Sequence, residues 1–399
     1  MNDLSAAERC VKCGLCLPHC PTFQLTGNEA DSPRGRISLM QLLDQPDTNW
    51  SPGLFRHLDQ CLMCHACEAM CPSGVPFGKL MDTSRAKLQQ HRRDTLWQRV
   101  SQRAGLTLLT TRSGRKLTAA GLSLIRPLGL HRLPGMPLTA RRMLRMLPEP
   151  VSIPDSAPRA ALPAARGRIS LFTGCTGELF DRETLDAARQ LLDRLGYTVE
   201  LPQQQACCGA LHQHSGHPGH ARQLAGRNLQ AFAGNSEPVL TVASGCCAHL
   251  QQYTDLYPES GNFSHRVTDV LAFLADRHAG DLAFRALPGK VALYLPCTQR
   301  NVLGTAALGE IMTWIPQLEV TTINPDGGCC GAAGSYMLTE PELSARLAEA
   351  MVDKVIASGC TTLLSTNIGC SLQLRGGLRQ RGVDMEILHP LTLLGRQLA

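Results

Sequence analysis

The sequence predicts an α+β multidomain chain: a helical, cysteine-bearing N-terminal module, a basic helical connector, and two repeated small α/β units that are again rich in cysteine. Three observations carry this expectation. Eight of the 18 cysteines fall early in two copies of one pattern, the stretch that follows is strongly basic, and the second half of the chain repeats itself at an offset of 122 residues.

The expected divisions are 1–90, 91–147, a Pro/Ala-rich linker at 148–166, and the two units at 167–285 and 286–399, since 399 residues exceed one ordinary domain. Hydrophobic residues at 43% suffice for packed cores, while 18% charged residues and a net charge of +6 exclude a disordered polyanion. No apolar run reaches the roughly 18 residues of a membrane span, and MNDLSAAERC lacks a signal-peptide pattern. A cytoplasmic chain, peripheral at most at the inner face of the membrane, is the expectation. Thiols there stay reduced, so clustered cysteines read as ligands rather than disulfides.

In the first part, Cys10, Cys13, Cys16 and Cys20 precede Pro21, and Cys61, Cys64, Cys67 and Cys71 precede Pro72. Both copies read C-x2-C-x2-C-x3-C-P. This spacing wraps three thiolates around one [4Fe-4S] cube and carries the fourth across to the other. The expected sets are Cys10, Cys13, Cys16 and Cys71 for one cluster and Cys61, Cys64, Cys67 and Cys20 for the second. Zinc is the alternative, but its sites usually divide their ligands between two separate knuckles. The 40 residues between the motifs include Ile37-Ser-Leu-Met-Gln-Leu-Leu43, which has helical apolar spacing. Within Ser32-Pro-Arg-Gly-Arg36, Arg34 and Arg36 either offset the negative charge of a cluster or simply belong to a helix start.

Residues 91–150 hold twelve Lys or Arg against Asp94 and Glu149, a net +10 that leaves −4 for the rest of the chain. Apolar runs such as Leu117–Ile125 interleave with them. The stretch suits an anionic lipid surface or an acidic partner; a solvated helix pair is the plainer reading. With Trp97 as its only aromatic residue, it does not read as a nucleic-acid site.

Duplication governs the remainder. Cys175 is followed after 31 residues by Cys207-Cys208-Gly209, and Cys297 after 31 residues by Cys329-Cys330-Gly331; Cys246 and Cys370 close each copy. Short β-rich runs ending in cysteine are expected at Gly167–Cys175 and Lys290–Cys297, with further strands at Tyr197–Leu201 and Val239–Ala243 in the first unit and at Glu319–Ile323 and Thr362–Ser365 in the second. Helices are expected at Thr184–Leu195, His217–Phe232 and Pro341–Ile356, an alternation that gives parallel sheets. The cysteines then gather at the C-terminal sheet edge, where such sheets bind ligands. They read as further cluster ligands or redox thiols, with buried inert cysteine as the alternative, favoured for Cys247 and Cys360. Gly328, Gly331 and Gly334 lack dinucleotide-binding spacing. His212, His214, His217 and His220 read as a polar loop, with His212 near enough in sequence to hydrogen-bond a thiolate.

Between its motifs the N-terminal module resembles the all-helical ferredoxin of succinate dehydrogenase and its relatives. Together with the two C-x31-C-C-G units, nearly the whole chain resembles the glycolate oxidase iron-sulfur subunit family. Subunits of anaerobic glycerol-3-phosphate dehydrogenase, lactate-utilisation proteins and heterodisulfide reductases share these modules. The resemblance implies an electron carrier with two [4Fe-4S] clusters, no catalytic base of its own, and partner subunits whose FAD oxidises a 2-hydroxy acid and passes electrons toward a quinone or other membrane acceptor. A thiol/disulfide enzyme of the heterodisulfide-reductase kind and a docking role for the repeats are the competing readings. Heterodisulfide reductase units end in C-x-x-C, but here Ala243 and Asn367 take the first position. The non-cubane cluster is therefore not implied, although four thiols per unit suffice for a third cluster of the ordinary kind.

Overall fold

The computed structural model describes residues 4–93, 104–125, 144–147, 166–234, 236–255 and 260–399. The Pro/Ala-rich linker up to residue 165 and much of the basic stretch lie outside them.

Among the described residues, the N-terminal module contains helices and no strand: Pro21–Thr26, Pro33–Leu42, Pro52–Asp59, Ala66–Ala69 and Phe77–His91, with short 3-10 turns between. Local chemistry starts them. Ser32 and Ser51 each accept a hydrogen bond from the first turn, with proline in the position that needs no N–H. The helices close on a core that includes Ile37, Met40, Leu58, Leu80, Met81 and Leu88. Gly35 lets the Pro33–Leu42 helix approach the Glu29–Asp31 turn, since a Cβ there would lie 1.9 Å from the Glu29 carbonyl oxygen. The cysteine runs occupy the loops, apart from Cys67 in the Ala66–Ala69 helix.

Each repeat is a four-stranded parallel sheet. The first comprises β1 (Gly167–Phe172), β2 (Tyr197–Glu200), β3 (Val239–Thr241) and β4 (Val267–Asp269), in the order β2-β1-β3-β4. The second comprises β5 (Gly289–Tyr294), β6 (Leu318–Thr322), β7 (Thr362–Ser365) and β8 (Glu386–Leu388), in the corresponding order β6-β5-β7-β8. Crossover helices include Arg182–Arg194, Pro218–Ala231, Pro341–Ala357 and Ile368–Gln380. The fourth strand of each sheet was not expected from the sequence. Both are three residues long, too short to show alternation.

The repeats pack reciprocally. Helix Arg182–Arg194 of the first lies on Pro390–Gln397 of the second, and Val270–His278 of the first lies on Ala306–Met312 of the second. One apolar core therefore joins Leu171, Leu191 and Leu274 to Leu293, Ile311 and Leu394. At the sheet ends, the Ser244 N–H donates to the Thr366 carbonyl at 3.2 Å, and the Ser244 and Thr298 hydroxyls are 2.9 Å apart.

The Leu117–Ile125 run belongs to a helix, Arg112–Ile125. Arg115 is buried and pairs with Glu178 at 2.8 Å, and Arg112 donates to the Gln203 side chain, so this part of the basic stretch lies on the first repeat. Among the described residues no helix is long and apolar enough to cross a membrane.

Candidate iron-sulfur centres

Two recesses sit in the N-terminal module. The outer one, with about 440 Å³ of atom-free space, is lined by Cys10, Cys13, Cys16, Cys67 and Cys71. The inner one, with about 380 Å³, is lined by Cys20, Cys61, Cys64 and Cys67. Each therefore mixes sulfurs of both runs: Cys10, Cys13 and Cys16 meet Cys67 and Cys71 in the outer one, Cys20 meets Cys61, Cys64 and Cys67 in the inner one, and Cys67 lines both. The loops share a backbone device: Lys12 and Gly14 in the first run, and Met63 and His65 at the matching places in the second, all have φ between 51° and 85°. Alternating left-handed residues coil a short chain tightly, a conformation that Lys, Met and His adopt only at a cost.

The two arginines of Ser32–Arg36 divide between the recesses. Arg36, 1% exposed, donates to the His57 carbonyl at 2.7 Å and to Thr22 Oγ1 at 2.8 Å, and its Nη1 stands 4.0 Å from Cys20 Sγ. Its Nη2 lies 3.6 Å from Asp31, which also holds His57 at 2.8 Å. Arg34 pairs with Glu29 at the surface and reaches the Lys12 carbonyl at 3.4 Å, beside Gly14. In the inner loop, His65 Nδ1 contacts Glu68 at 2.9 Å, and Glu68 also accepts the Gly78 N–H. Burial pushes the Glu68 carboxyl upward, but these contacts prevail and hold it below its ordinary range.

Burial, reinforced by neighbouring sulfurs, raises the Cys64 and Cys67 thiols well above their ordinary value and raises Cys16 as well. Buried thiols of this kind ionise only against a strong local cation, which thiolate-bound iron supplies. Among the described residues no three His, Cys, Asp or Glu side chains form a cage for a single metal ion; the sulfurs stand around open recesses. The donor sets fit two polynuclear thiolate-ligated clusters.

The repeat cysteines gather after the strands, at the C-terminal sheet edges. In the first unit Cys175 opens the helix after β1, Cys207 and Cys208 lie beyond β2, and Cys246 is in the helix after β3. Cys175 Sγ and Cys207 Sγ are 3.4 Å apart. The glycine of each C-C-G has positive φ and donates its N–H to the first sulfur of the pair: Gly209 to Cys207 at 3.5 Å and Gly331 to Cys329 at 3.3 Å. Such a donor stabilises sulfur in its charged form. Buried Asn228 and Tyr253 fasten the Cys207 and Cys208 carbonyls in the first unit, while the Tyr294 hydroxyl accepts the Cys330 N–H in the second. Cys297 is pushed up to about 12, chiefly by burial and then by Cys329. Cys247 and Cys360 are buried within hydrophobic cores. Asn367 caps the helix that carries Cys370 and donates to Ser244 of the other unit at 3.4 Å.

The histidine segment departs from its expected form. It is not a polar loop but a short helix, Ala210–His214, docked on the N-terminal module. His214 Nδ1 meets Asp82 at 2.9 Å, and Arg85 joins the His214 carbonyl to the Cys61 carbonyl at 2.7 and 2.6 Å. His212 contacts Thr110 Oγ1 at 3.4 Å and no thiolate, because its ring stacks on His220; burial and the neighbouring histidines push it down to about 4. Arg85 had no distinguishing signal: in sequence it belongs to an ordinary polar helix face.

A family described as "4Fe-4S dicluster domain" matches residues 6–75, and one described as "Cysteine-rich domain" matches residues 169–251 and 291–375. The chain is similar to the probable glycolate oxidase iron-sulfur subunit of Bacillus subtilis (strain 168), with 32% identity over 96% of this chain and 92% of that protein. It is 31% identical to the glycolate oxidase iron-sulfur subunit of Escherichia coli (strain K12), over 93% of this chain and 90% of the other. The chain belongs to the glycolate oxidase iron-sulfur subunit family. Lactate utilization protein A of Macrococcus caseolyticus (strain JCSC5402) matches more narrowly, 26% identical over 58% of this chain and 97% of its own length. In this glycolate oxidase iron-sulfur subunit family member, the dicluster match encloses both cysteine runs.

Proposed function

We propose that the chain is the iron-sulfur electron-transfer subunit of a glycolate oxidase complex. Cys10, Cys13, Cys16 and Cys71 hold one [4Fe-4S] cluster and Cys20, Cys61, Cys64 and Cys67 the other. A partner subunit carrying FAD oxidises the 2-hydroxy acid, and electrons pass through this chain toward a quinone. The observation that supports this reading is that sulfurs of both runs meet in each recess, Cys71 beside Cys10, Cys13 and Cys16 in the outer one and Cys20 beside Cys61, Cys64 and Cys67 in the inner one.

When bound, the clusters supply one-electron steps that divide the two-electron reduction of a flavin. The chain's own residues ligate, shield from water and set the local charge. Arg36 and Arg34 place cations at the inner and outer recess, and the helical core keeps the four-sulfur sets in register. No general base is needed on this subunit. The reading places the protein in the cytoplasm. Of the cations in the basic stretch, Arg115 pairs with Glu178 rather than with a membrane face.

The test is anaerobic purification with partner identification, iron and sulfide analysis, and electron paramagnetic resonance of the reduced protein. Two cubane signals are expected, with Cys13→Ser and Cys64→Ser each removing a different one. A colourless protein carrying zinc in the wild type overturns the reading.

A further inference from the structure

The two repeats share a fold but not their surroundings. In the second, the inner loop of the N-terminal module lies directly on the thiol set. Leu62 and Cys64 share a buried cluster with Cys329, Tyr336 and Leu347. The Asn301 amide donates to the Cys64 carbonyl at 2.7 Å, and the Ala66–Ala69 helix touches the π-helical turn Gln299–Leu303 that follows Cys297. Gln60 reaches Glu340 at 3.2 Å on the same seam.

The first repeat meets the N-terminal module differently. Contact runs through Asp82, Arg85 and Gln89 to the 214–216 segment. Its own thiols are packed among Phe172, Phe232 and Tyr253, and no cysteine of the N-terminal module belongs to that cluster. Over Cys175 lies the Arg112–Ile125 helix, with Arg115 bound to Glu178.

We propose that electrons cross from the N-terminal module at Cys64 into a third iron-sulfur centre ligated by Cys297, Cys329, Cys330 and Cys370, and that the first repeat stands off this route. The inference rests on the reading that Cys20, Cys61, Cys64 and Cys67 hold a cluster. Each crossing moves one electron from the inner centre to the third, with no bond broken and no proton transferred. A dithiol is the wrong acceptor here. It takes two electrons and two protons, and adjacent Cys329 and Cys330 are poor partners for an unstrained disulfide. Four cysteines per unit, one of them Cys329 with its sulfur already accepting the Gly331 N–H, suit a thiolate-bound cluster instead.

The full chain, anaerobic and with its flavoprotein partner, provides the test through iron content, resonance line shape and midpoint potential. Cys329→Ser should lose one cluster's complement of iron while both N-terminal signals persist, and the inner signal should lose the magnetic broadening caused by a neighbouring centre. Asn301→Ala, which touches no sulfur, should shift the inner midpoint potential at unchanged iron content and so guards against misfolding of the cysteine variant. Cys207→Ser should leave the inner line shape and potential where they are, and Cys360→Ser should match the wild type. If Cys329→Ser leaves the inner signal unaltered, or Cys207→Ser disturbs it equally, the proposed route is wrong. Absence of both N-terminal signals in the wild type instead overturns the underlying two-cluster reading and the route with it.

Discussion

The outer and inner recesses are built from one repeated pattern and end in opposite settings. The outer one faces solvent: Cys13 is exposed, and Val11, Leu15 and Met70 at its rim are 70%, 57% and 46% exposed. The inner one is closed by Leu62, Arg36 and the second repeat, with Leu62 only 5% exposed. Ligand spacing determines the cage, while its access and local charge depend on what the rest of the chain packs against it. Three paired substitutions test that separation.

The largest contrast is expected between Arg36→Met and Arg34→Met. Removing Arg36 strips the buried Asp31 carboxylate of its arginine partner, at a cost of about 3–5 kcal/mol, and lowers the potential of the inner centre. Arg34 pairs with a half-exposed Glu29 at the surface, so its loss should leave stability nearly unchanged. Chemical unfolding and redox titration of the full chain read both. Equal losses would erase the distinction between the recesses.

Leu62→Ala should cost about 2–5 kcal/mol, because it opens a cavity in the seam with Cys329 and Tyr336. Leu15→Ala should stay within about 0.5 kcal/mol. A matching shift in thermal midpoint for the two would mean that the inner seam contributes little.

The smallest contrast concerns glycines. A Cβ on Gly78 would lie 2.3 Å from the His65 ring, forcing it off Glu68; about 1–3 kcal/mol is expected for Gly78→Ala, with the inner resonance altered. Gly14 has φ of +85°, and a Cβ there would meet the ends of two side chains, Arg34 Nη1 at 3.1 Å and Leu17 Cδ1 at 3.5 Å, so Gly14→Ala costs about 1 kcal/mol and touches the outer signal alone. Selective change of one resonance by each variant is the measurement that matters.

Much of this was legible in the sequence because it is local. The two cysteine runs, the arginines at 34 and 36, the C-C-G glycines and six of the eight strands all announce themselves through spacing or apolar runs. The inner and outer settings do not, since Asn301 meets Cys64 across 237 residues and no periodicity records that. Arg85 and Asp82 look like solvated positions until the 214–216 segment lies on them. Asn367 reads as a missing cysteine, yet its work is to cap a helix and bind Ser244.

The reciprocal placement of Arg182–Arg194 on Pro390–Gln397 and of Val270–His278 on Ala306–Met312 has the form of an isologous interface, each copy offering the same patch to the other. The second half of this chain thus has the form of a two-fold dimer within one polypeptide. Being joined in one chain, the copies need not be identical. One lies against the inner cysteine loop and the other beneath a cationic helix, an asymmetry that a symmetric pair encoded once could not adopt.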